Sequence, residues 1–351
     1  ETLRVNPQFR KTAILRADIA KLSGAALLQA AQMKRGEVGH LIGGPPCQPF
    51  SKAGYWTSSG DEARRREAQR AEGGFGDGPK EKQKSAKRSR VHDPDRDPRS
   101  GLLDEYVRIL RSTQPEGFIF ENVTSILHPT SRAMFDRFIA ACRGVGYAVN
   151  YFPLNAANFG VAQKRKRVFV AGLKGKVAPS GPKATNRIED EPGEDGLPRA
   201  VSAGEAIAPF ASKAQSEPNE VITGKWAQQL FEVPPGWNYK ALSSWAGHPR
   251  PVFEAESRYW HFLLKLHPDK PSWTIAASPG PWTGPFHWDN RRLRTAELAG
   301  LQGFPVSYEF AGTVRSKRRQ IGNAVPPPLA AAVIRLVAAE ICGTRQSRAG
   351  R

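Results

Sequence analysis

Cys47, Glu121 and Asp18, with Arg167 as a fixed cation, are the residues here whose types could do covalent and acid–base chemistry together. Cys47 stands in Leu41-Ile-Gly-Gly-Pro-Pro-Cys-Gln-Pro-Phe-Ser51, where a short apolar run meets two glycines and two prolines. The prolines fix φ and remove backbone donors, so the turn is stiff and presents its side chain. A cysteine held there is either a thiolate nucleophile or a small hydrophobe at a strand end. Glu121 follows the apolar run Gly117-Phe-Ile-Phe120. It is either an exposed strand-end carboxylate or, if buried, a proton donor. Arg167 closes the basic run Gln163-Lys-Arg-Lys-Arg167, which by itself would suit a phosphate-facing strand.

Bringing these groups together requires a sheet. Thr12 to Ile19 reads as a short strand ending near Asp18, and Ser23 to Met33 as a helix capped by Ser23. Gly39 to Gly44 is the strand leading to Cys47. Arg99 to Leu110 repeats apolar residues at Leu102, Leu103, Tyr106, Ile109 and Leu110, the spacing of a buried helical face. Gly117 to Phe120 is the next strand, Ser131 to Arg143 a helix stopped by Gly144, and Tyr147 to Phe152 and Arg167 to Ala171 are further strands. The alternation predicts an α/β fold with a parallel sheet and right-handed crossovers. Ligands bind beyond the carboxyl ends of such strands, so Asp18, Cys47 and Glu121 would project from one edge.

The chain has 351 residues, 39% of them hydrophobic, enough for one large domain and a smaller one. A formal charge of +19 suits a polyanionic partner, or a basic proteome. No unbroken run of about 18 apolar residues is present, so no membrane span is expected. The three cysteines, Cys47, Cys142 and Cys342, lack metal-ligand spacing and suit a reducing cytoplasm; the latter two sit in helical patterns as structural residues. Residues 61–98 hold eleven Lys/Arg, nine Asp/Glu and one aromatic, Phe75, which reads as a disordered basic insertion. From Lys174 to about Asn290 Pro, Gly, Ser and scattered tryptophans predict a loop-rich second domain, its indoles more often in the core than on the surface. Asn323 would cap a last helix entered through Pro326-Pro-Pro328, with Leu329, Val333, Leu336 and Val337 at helical spacing and Gly343 at its end.

Five segments in order resemble the DNA cytosine-5 methyltransferases: Pro45-Pro-Cys-Gln-Pro-Phe-Ser51, Phe120-Glu-Asn-Val123, Gln163-Lys-Arg-Lys-Arg167, Arg292-Leu-Arg-Thr-Ala-Glu-Leu-Ala-Gly-Leu-Gln-Gly-Phe-Pro305 and Gln320-Ile-Gly-Asn-Ala-Val-Pro-Pro327. The resemblance covers nearly the whole chain. It implies a Rossmann-like class I methyltransferase domain, residues 1–178 and 320–351, with the 61–98 insertion in its catalytic loop. Residues 179–319 would form a target recognition domain. S-adenosylmethionine is the implied cofactor and double-stranded DNA the implied partner, with no metal.

The resemblance makes Cys47 the nucleophile, Glu121 the contact to the target base and Arg167 the arginine that steadies it. Gln48, Ser51, Asn122, Gln163 and Arg165 would support base and loop, Asn122 bracing the loop that holds Cys47. Asp18, Pro45, Leu102 and Asn323 match cofactor-site positions. The chemistry is coherent: carbon 5 of cytosine becomes nucleophilic only after a thiolate adds at carbon 6, and an acid at ring nitrogen 3 eases the addition. The base must leave the stack to be reached.

Departures set the alternatives. The family's Phe-x-Gly-x-Gly loop and the acidic strand end after it are not in this chain, which would then be a fragment or one subunit of a split enzyme with a separate N-terminal partner, and otherwise a monomer. Ala162 replaces the usual proline before Gln163. Ala296 replaces the usual arginine before Glu297, so a structural pairing would be lost. The remaining readings are a DNA-binding remnant without catalysis and a transfer RNA cytosine methyltransferase. A bacterial or phage restriction–modification setting is the expected context.

Overall fold

The computed structural model describes residues 1–45, 101–175, 177–189, 191–193, 195–212, 216–218, 220–253 and 260–349. Cys47, Gln48, Ser51 and the 61–98 insertion lie outside the described residues. In chain order the elements used below are α1 (Gly24–Ala30), β1 (His40–Gly43), α2 (Leu102–Thr113), β2 (Gly117–Val123), α3 (Pro129–Gly144), β3 (Tyr147–Asn155), β4 (Gln163–Lys164), β5 (Lys166–Lys174), β6 (Ser272–Trp273), α4 (Thr295–Leu301), α5 (Val314–Asn323) and α6 (Pro327–Ala349). Two compact units divide them: Arg16–Pro153 with Arg167–Ser180 and Ala339–Arg351, here the sheet unit, and Glu1–Leu15 with Leu154–Lys166 and Gly181–Ala338, here the loop-rich unit.

The sheet unit is α/β, with strand order β1-β2-β5-β3. β1 and β2 are parallel, Ile42 opposite Ile119. β2 and β5 are antiparallel, Glu121 opposite Phe169 and Val123 opposite Arg167, so the sheet is mixed rather than parallel. The reason is the link between β3 and β5. Residues 156–165 hold a 3-10 turn, Ala156–Phe159, and the two-residue β4 but no helix, and a parallel crossover needs a dozen or more residues, usually a helix. The expected strand over Thr12 to Ile19 is absent. Residues 13–18 carry no regular structure, and Asp18 instead caps the 3-10 turn Ile19–Lys21, accepting from Ala20 N at 3.1 Å.

Local signals worked where capping or apolar spacing carried them. Ser23 Oγ accepts from Ala26 N at 3.1 Å and starts α1. On α2, Leu103, Tyr106, Val107 and Leu110 pack with Phe118 and Phe120 of β2, and with Phe135, Phe138 and Cys142 of α3, into one core. Burial pushes the Cys142 thiol up to about 12, so it is inert packing. Cys342, by contrast, is exposed.

A small cluster of Ala157, Ile188 and Ala200 and two larger cores lie among the described residues of the loop-rich unit. Leu230, Tyr239, Phe253, Phe262 and Phe286 form one, with Trp226 and Trp282 against it. Ala203, Leu266, Ile275, Leu298, Leu301 and Ile321 form the other, with Trp288 against it. Trp237, Trp245, Trp260 and Trp273 stay exposed, so the tryptophans split between core and surface. Asn323 is the last residue of α5 and not the cap of the final helix, which starts at Pro327 and runs past Gly343 to Ala349. Glycine costs only about 1 kcal/mol inside a helix, too little to stop one carried by packing. Leu329, Val333, Val337 and Ile341, at four-residue spacing, are buried. By length and composition the helical stretch Val314–Cys342 is also apolar enough to cross a membrane, with Arg335 and Glu340 interrupting its apolar run.

Candidate active site

The sequence Gly43-Gly44 ends β1, and both glycines are dictated by what lies beside them. A Cβ on Gly43 would sit 2.7 Å from Tyr106 Cε2. Tyr106 Oη donates toward Leu41 O (3.2 Å) and Ile119 O (3.0 Å), holding β1 and β2 together from below. A Cβ on Gly44 would sit 3.1 Å from Glu121 Oε2. The double glycine therefore lets the chain that leads to Cys47 run close against the Glu121 carboxylate.

β2 delivers Glu121 and Asn122, and β5 delivers Arg167 to the same edge because it runs the other way. Arg167 lies opposite Val123, which makes it the diagonal neighbour of Glu121 on one face. Its Nε is 3.0 Å from Glu121 Oε1, and the two side chains are 13% and 16% exposed. Burial alone is thus not the environment of Glu121: a guanidinium is bonded to it. Asn122 is buried; its Nδ2 donates to Pro45 O at 3.5 Å and its Oδ1 accepts from Val123 N at 2.8 Å. The sheet unit thereby brings Pro45, Glu121, Asn122 and Arg167 together. Asp18 does not share this edge as a strand end, since no strand carries it. It is exposed on a turn tied to α2 by Arg108, whose NH2 donates to Ile19 O (2.8 Å) and Leu22 O (2.9 Å). Leu102, half-buried, is the first residue of that helix.

Gln163, Arg165 and Asn323 belong to the loop-rich unit. Gln163 is fully buried: its Nε2 donates to Gln302 Oε1 (2.9 Å) and its Oε1 accepts from Ile275 N (3.0 Å). Gln302, also fully buried, donates onward to Ile321 O at 2.5 Å. Arg165 NH2 donates to Gly322 O at 2.8 Å. A Cβ on Gly322 would sit 2.5 Å from Ala277 Cα, so only glycine fits there. Segments 163–165, 302 and 320–324 are thus cross-linked by buried amides, a job for which every donor must be matched. Gln302 escaped the sequence reading, although it lies inside a quoted segment, because nothing in spacing tells a buried glutamine from an exposed one. Asn323 is exposed.

The pairing expected to be lost at Ala296 is supplied otherwise. Glu297, fully buried, takes two bonds from Arg291, NH1 to Oε2 at 2.9 Å and NH2 to Oε1 at 2.7 Å. Arg294 N also donates to Glu297 Oε2 at 2.9 Å, while the Arg294 guanidinium pairs with Glu220 at 2.7 Å.

Comparison with known proteins places the chain in a family. The model of the C-5 cytosine-specific DNA methylase family matches residues 89–339. The chain is 38% identical to the type II methyltransferase M.SacI of Streptomyces achromogenes over 95% of this chain and 80% of the relative. It is 30% identical to M1.HphI of Haemophilus parahaemolyticus over 96% of this chain and 77% of that one. A DNA modification methyltransferase encoded within an E. coli prophage has the same fold, with a TM-score of 0.53 at 19% identity over 94% of this chain and 86% of the other. A mutant of Spodoptera frugiperda DNMT2 also gives 0.53, at 16% identity over 94% and 86%. Family match and near full-length identity together make this chain a member of the C-5 cytosine-specific DNA methylases, enzymes of the Rossmann-like class I methyltransferase fold.

Proposed function

We propose that this chain methylates carbon 5 of a cytosine turned out of duplex DNA, using Cys47, Glu121 and Arg167. The observation that carries the reading is the Glu121–Arg167 pair beside Gly44-Pro45, the residues leading directly to Cys47. The Cys47 thiolate adds to carbon 6. Glu121, in its acid form, donates its proton to ring nitrogen 3 and so neutralises the charge that the addition places there, and Arg167 holds both the carboxyl group and the base. Once carbon 5 carries the methyl group, a base removes the carbon-5 proton, the Cys47–carbon 6 bond breaks to return the thiolate, and the proton on ring nitrogen 3 goes back to Glu121. Asn122 braces the Pro45 turn, and Gln48 and Ser51 would support the same loop.

S-adenosylmethionine, when bound, supplies the methyl group. Asp18, Pro45 and Leu102 of the sheet unit would hold it. An exposed carboxylate on an anchored turn and an apolar side chain at the start of α2 suit an adenine amino group and ring face. Residues 179–319 would recognise the target sequence, and the type II relatives support a restriction–modification role in the cytoplasm.

Cys47→Ser tests the reading: methyl transfer to duplex DNA should vanish while DNA binding stays. Retained methylation in that variant removes Cys47 from the mechanism. Parallel assays on duplex DNA and transfer RNA decide the substrate.

A further inference from the structure

Four tryptophans remain on the surface of the loop-rich unit: Trp237 is 47% exposed, Trp245 67%, Trp260 45% and Trp273 38%. Indoles are usually well buried, so several left open in one unit mark a surface that a partner covers. Three of them form a continuous run. The rings of Trp260 and Trp273 meet edge to face with centroids 5.3 Å apart. Lys240 Nζ lies 5.8 Å from the Trp260 ring and 5.5 Å from the Trp245 ring, so one ammonium joins two indoles. Lys164 Nζ lies 5.8 Å from the Trp273 ring and ends the run.

The run is built from the backbone upward. β4 and β6 pair in parallel with Lys164 opposite Trp273, and Thr274 Oγ1 donates to Lys164 O at 2.8 Å. At the other end Asn238, 2% exposed, holds two pieces at once. Its Oδ1 accepts from Lys240 N at 3.0 Å, and its Nδ2 donates to Trp260 O at 2.8 Å. A buried amide thus fixes the turn that carries Lys240 against the backbone that carries Trp260. The core beneath is already capped by Trp226 and Trp282, so the exposed indoles are not needed to close it. Among the described residues Glu191 borders the run, 3.7 Å from Lys164; a partly exposed pair at that distance is weak and gives way to a stronger anion.

We propose that Trp245, Lys240, Trp260, Trp273 and Lys164 form a surface that grips the DNA substrate. The lysines neutralise phosphates, and the indoles stack on base and sugar faces. Cations set over aromatic faces, on a chain of formal charge +19, fit a polyanion bearing flat rings rather than a protein surface. A reaction that takes a cytosine out of the stack also opens base faces that an intact duplex hides. The proposal rests on the DNA methylation reading and gives it a gripping surface in the unit that lies between the quoted segments.

Trp245→Ala, Trp260→Ala and Lys240→Gln, made in the full chain and checked for folding by thermal unfolding, test it. Affinity for a duplex is measured at several salt concentrations, together with kcat and KM for that duplex. Each indole removal should weaken binding about fivefold or more, and raise KM while kcat at saturating DNA is kept. Trp260→Phe should restore most of the affinity, and Lys240→Gln should lower the salt slope by about one. Folded variants with unchanged affinity and slope overturn the proposal. So does a wild-type dimer that dissociates in Trp245→Ala by sedimentation, because the face would then join two copies. If the wild type binds duplex, methylates nothing, and the indole variants still bind more weakly, the methylation reading fails and this surface stands.

Discussion

Arg167 Nε and Glu121 Oε1 are 3.0 Å apart on strands that run in opposite directions. That reversal is what brings the arginine to the edge where β1 and β2 end. In a parallel strand the same sequence would place Arg167 at the far end of the sheet.

Glu121→Gln keeps the size of the side chain and removes the acid. Methyl incorporation should fall about 10²- to 10⁴-fold in kcat, the usual range for a lost acid–base group, with some loss of folding stability because Arg167 keeps only a neutral partner. Arg167→Ala should reduce activity and also destabilise the protein, because a mostly buried carboxylate loses its cation. Full activity in Glu121→Gln would exclude the acid role.

Gly43→Ala forces a methyl group to 2.7 Å from the Tyr106 ring, whose hydroxyl bridges β1 and β2. Overpacking of this kind costs about 1–3 kcal/mol, to be read from urea unfolding. Gly44→Ala instead presses on the Glu121 carboxylate, so it should lower kcat more than stability.

Arg291→Ala leaves the fully buried Glu297 carboxylate without its two guanidinium bonds. The loss should be about 3 kcal/mol of unfolding free energy, smaller for Arg291→Lys, which keeps the charge but not the fork. A change within error would mean that Arg294 or another cation replaces it.

His287 is nearly buried, and its Nδ1 accepts from Asp289 N at 3.0 Å, which requires an unprotonated nitrogen. Burial first, and then Arg291, hold its pKa down to about 4 against 6.5 in the unfolded chain. The unfolded chain takes the proton first, so the contribution to stability is full above about pH 6.5 and is lost as pH falls toward 4, on the order of 3 kcal/mol in all. His287→Asn can accept the same bond without titrating. Its urea midpoint should fall less than that of the wild type between pH 7 and pH 4.5; equal falls would exclude His287 as the linked group.

Much of this was legible in the chain itself. Capping by Ser23, the apolar stripe of α2 and the strand carrying Glu121 depend on neighbours within one or two turns, and local spacing records such neighbours. The family segments singled out Glu121, Asn122 and Arg167, and the structure brings these three to one sheet edge. The strand read over Thr12 to Ile19 and the helix cap read at Asn323 failed, because a short pattern fits several conformations until packing chooses one. Asp18 became a turn cap, and Asn323 the end of a helix.

Other relationships were invisible without the third dimension. No spacing rule joins Gln163 to Gln302 or Lys240 to Trp260, since each pair meets only after separate segments pack, and Arg291 reaches Glu297 only because the loop before α4 folds back. The sequence by itself determined the chemistry available: a cysteine in a stiff turn, an acid and an arginine. The tertiary structure decided the direction of β5, and with it the edge at which Arg167 meets Glu121, because a link too short for a crossover helix must turn the strand back.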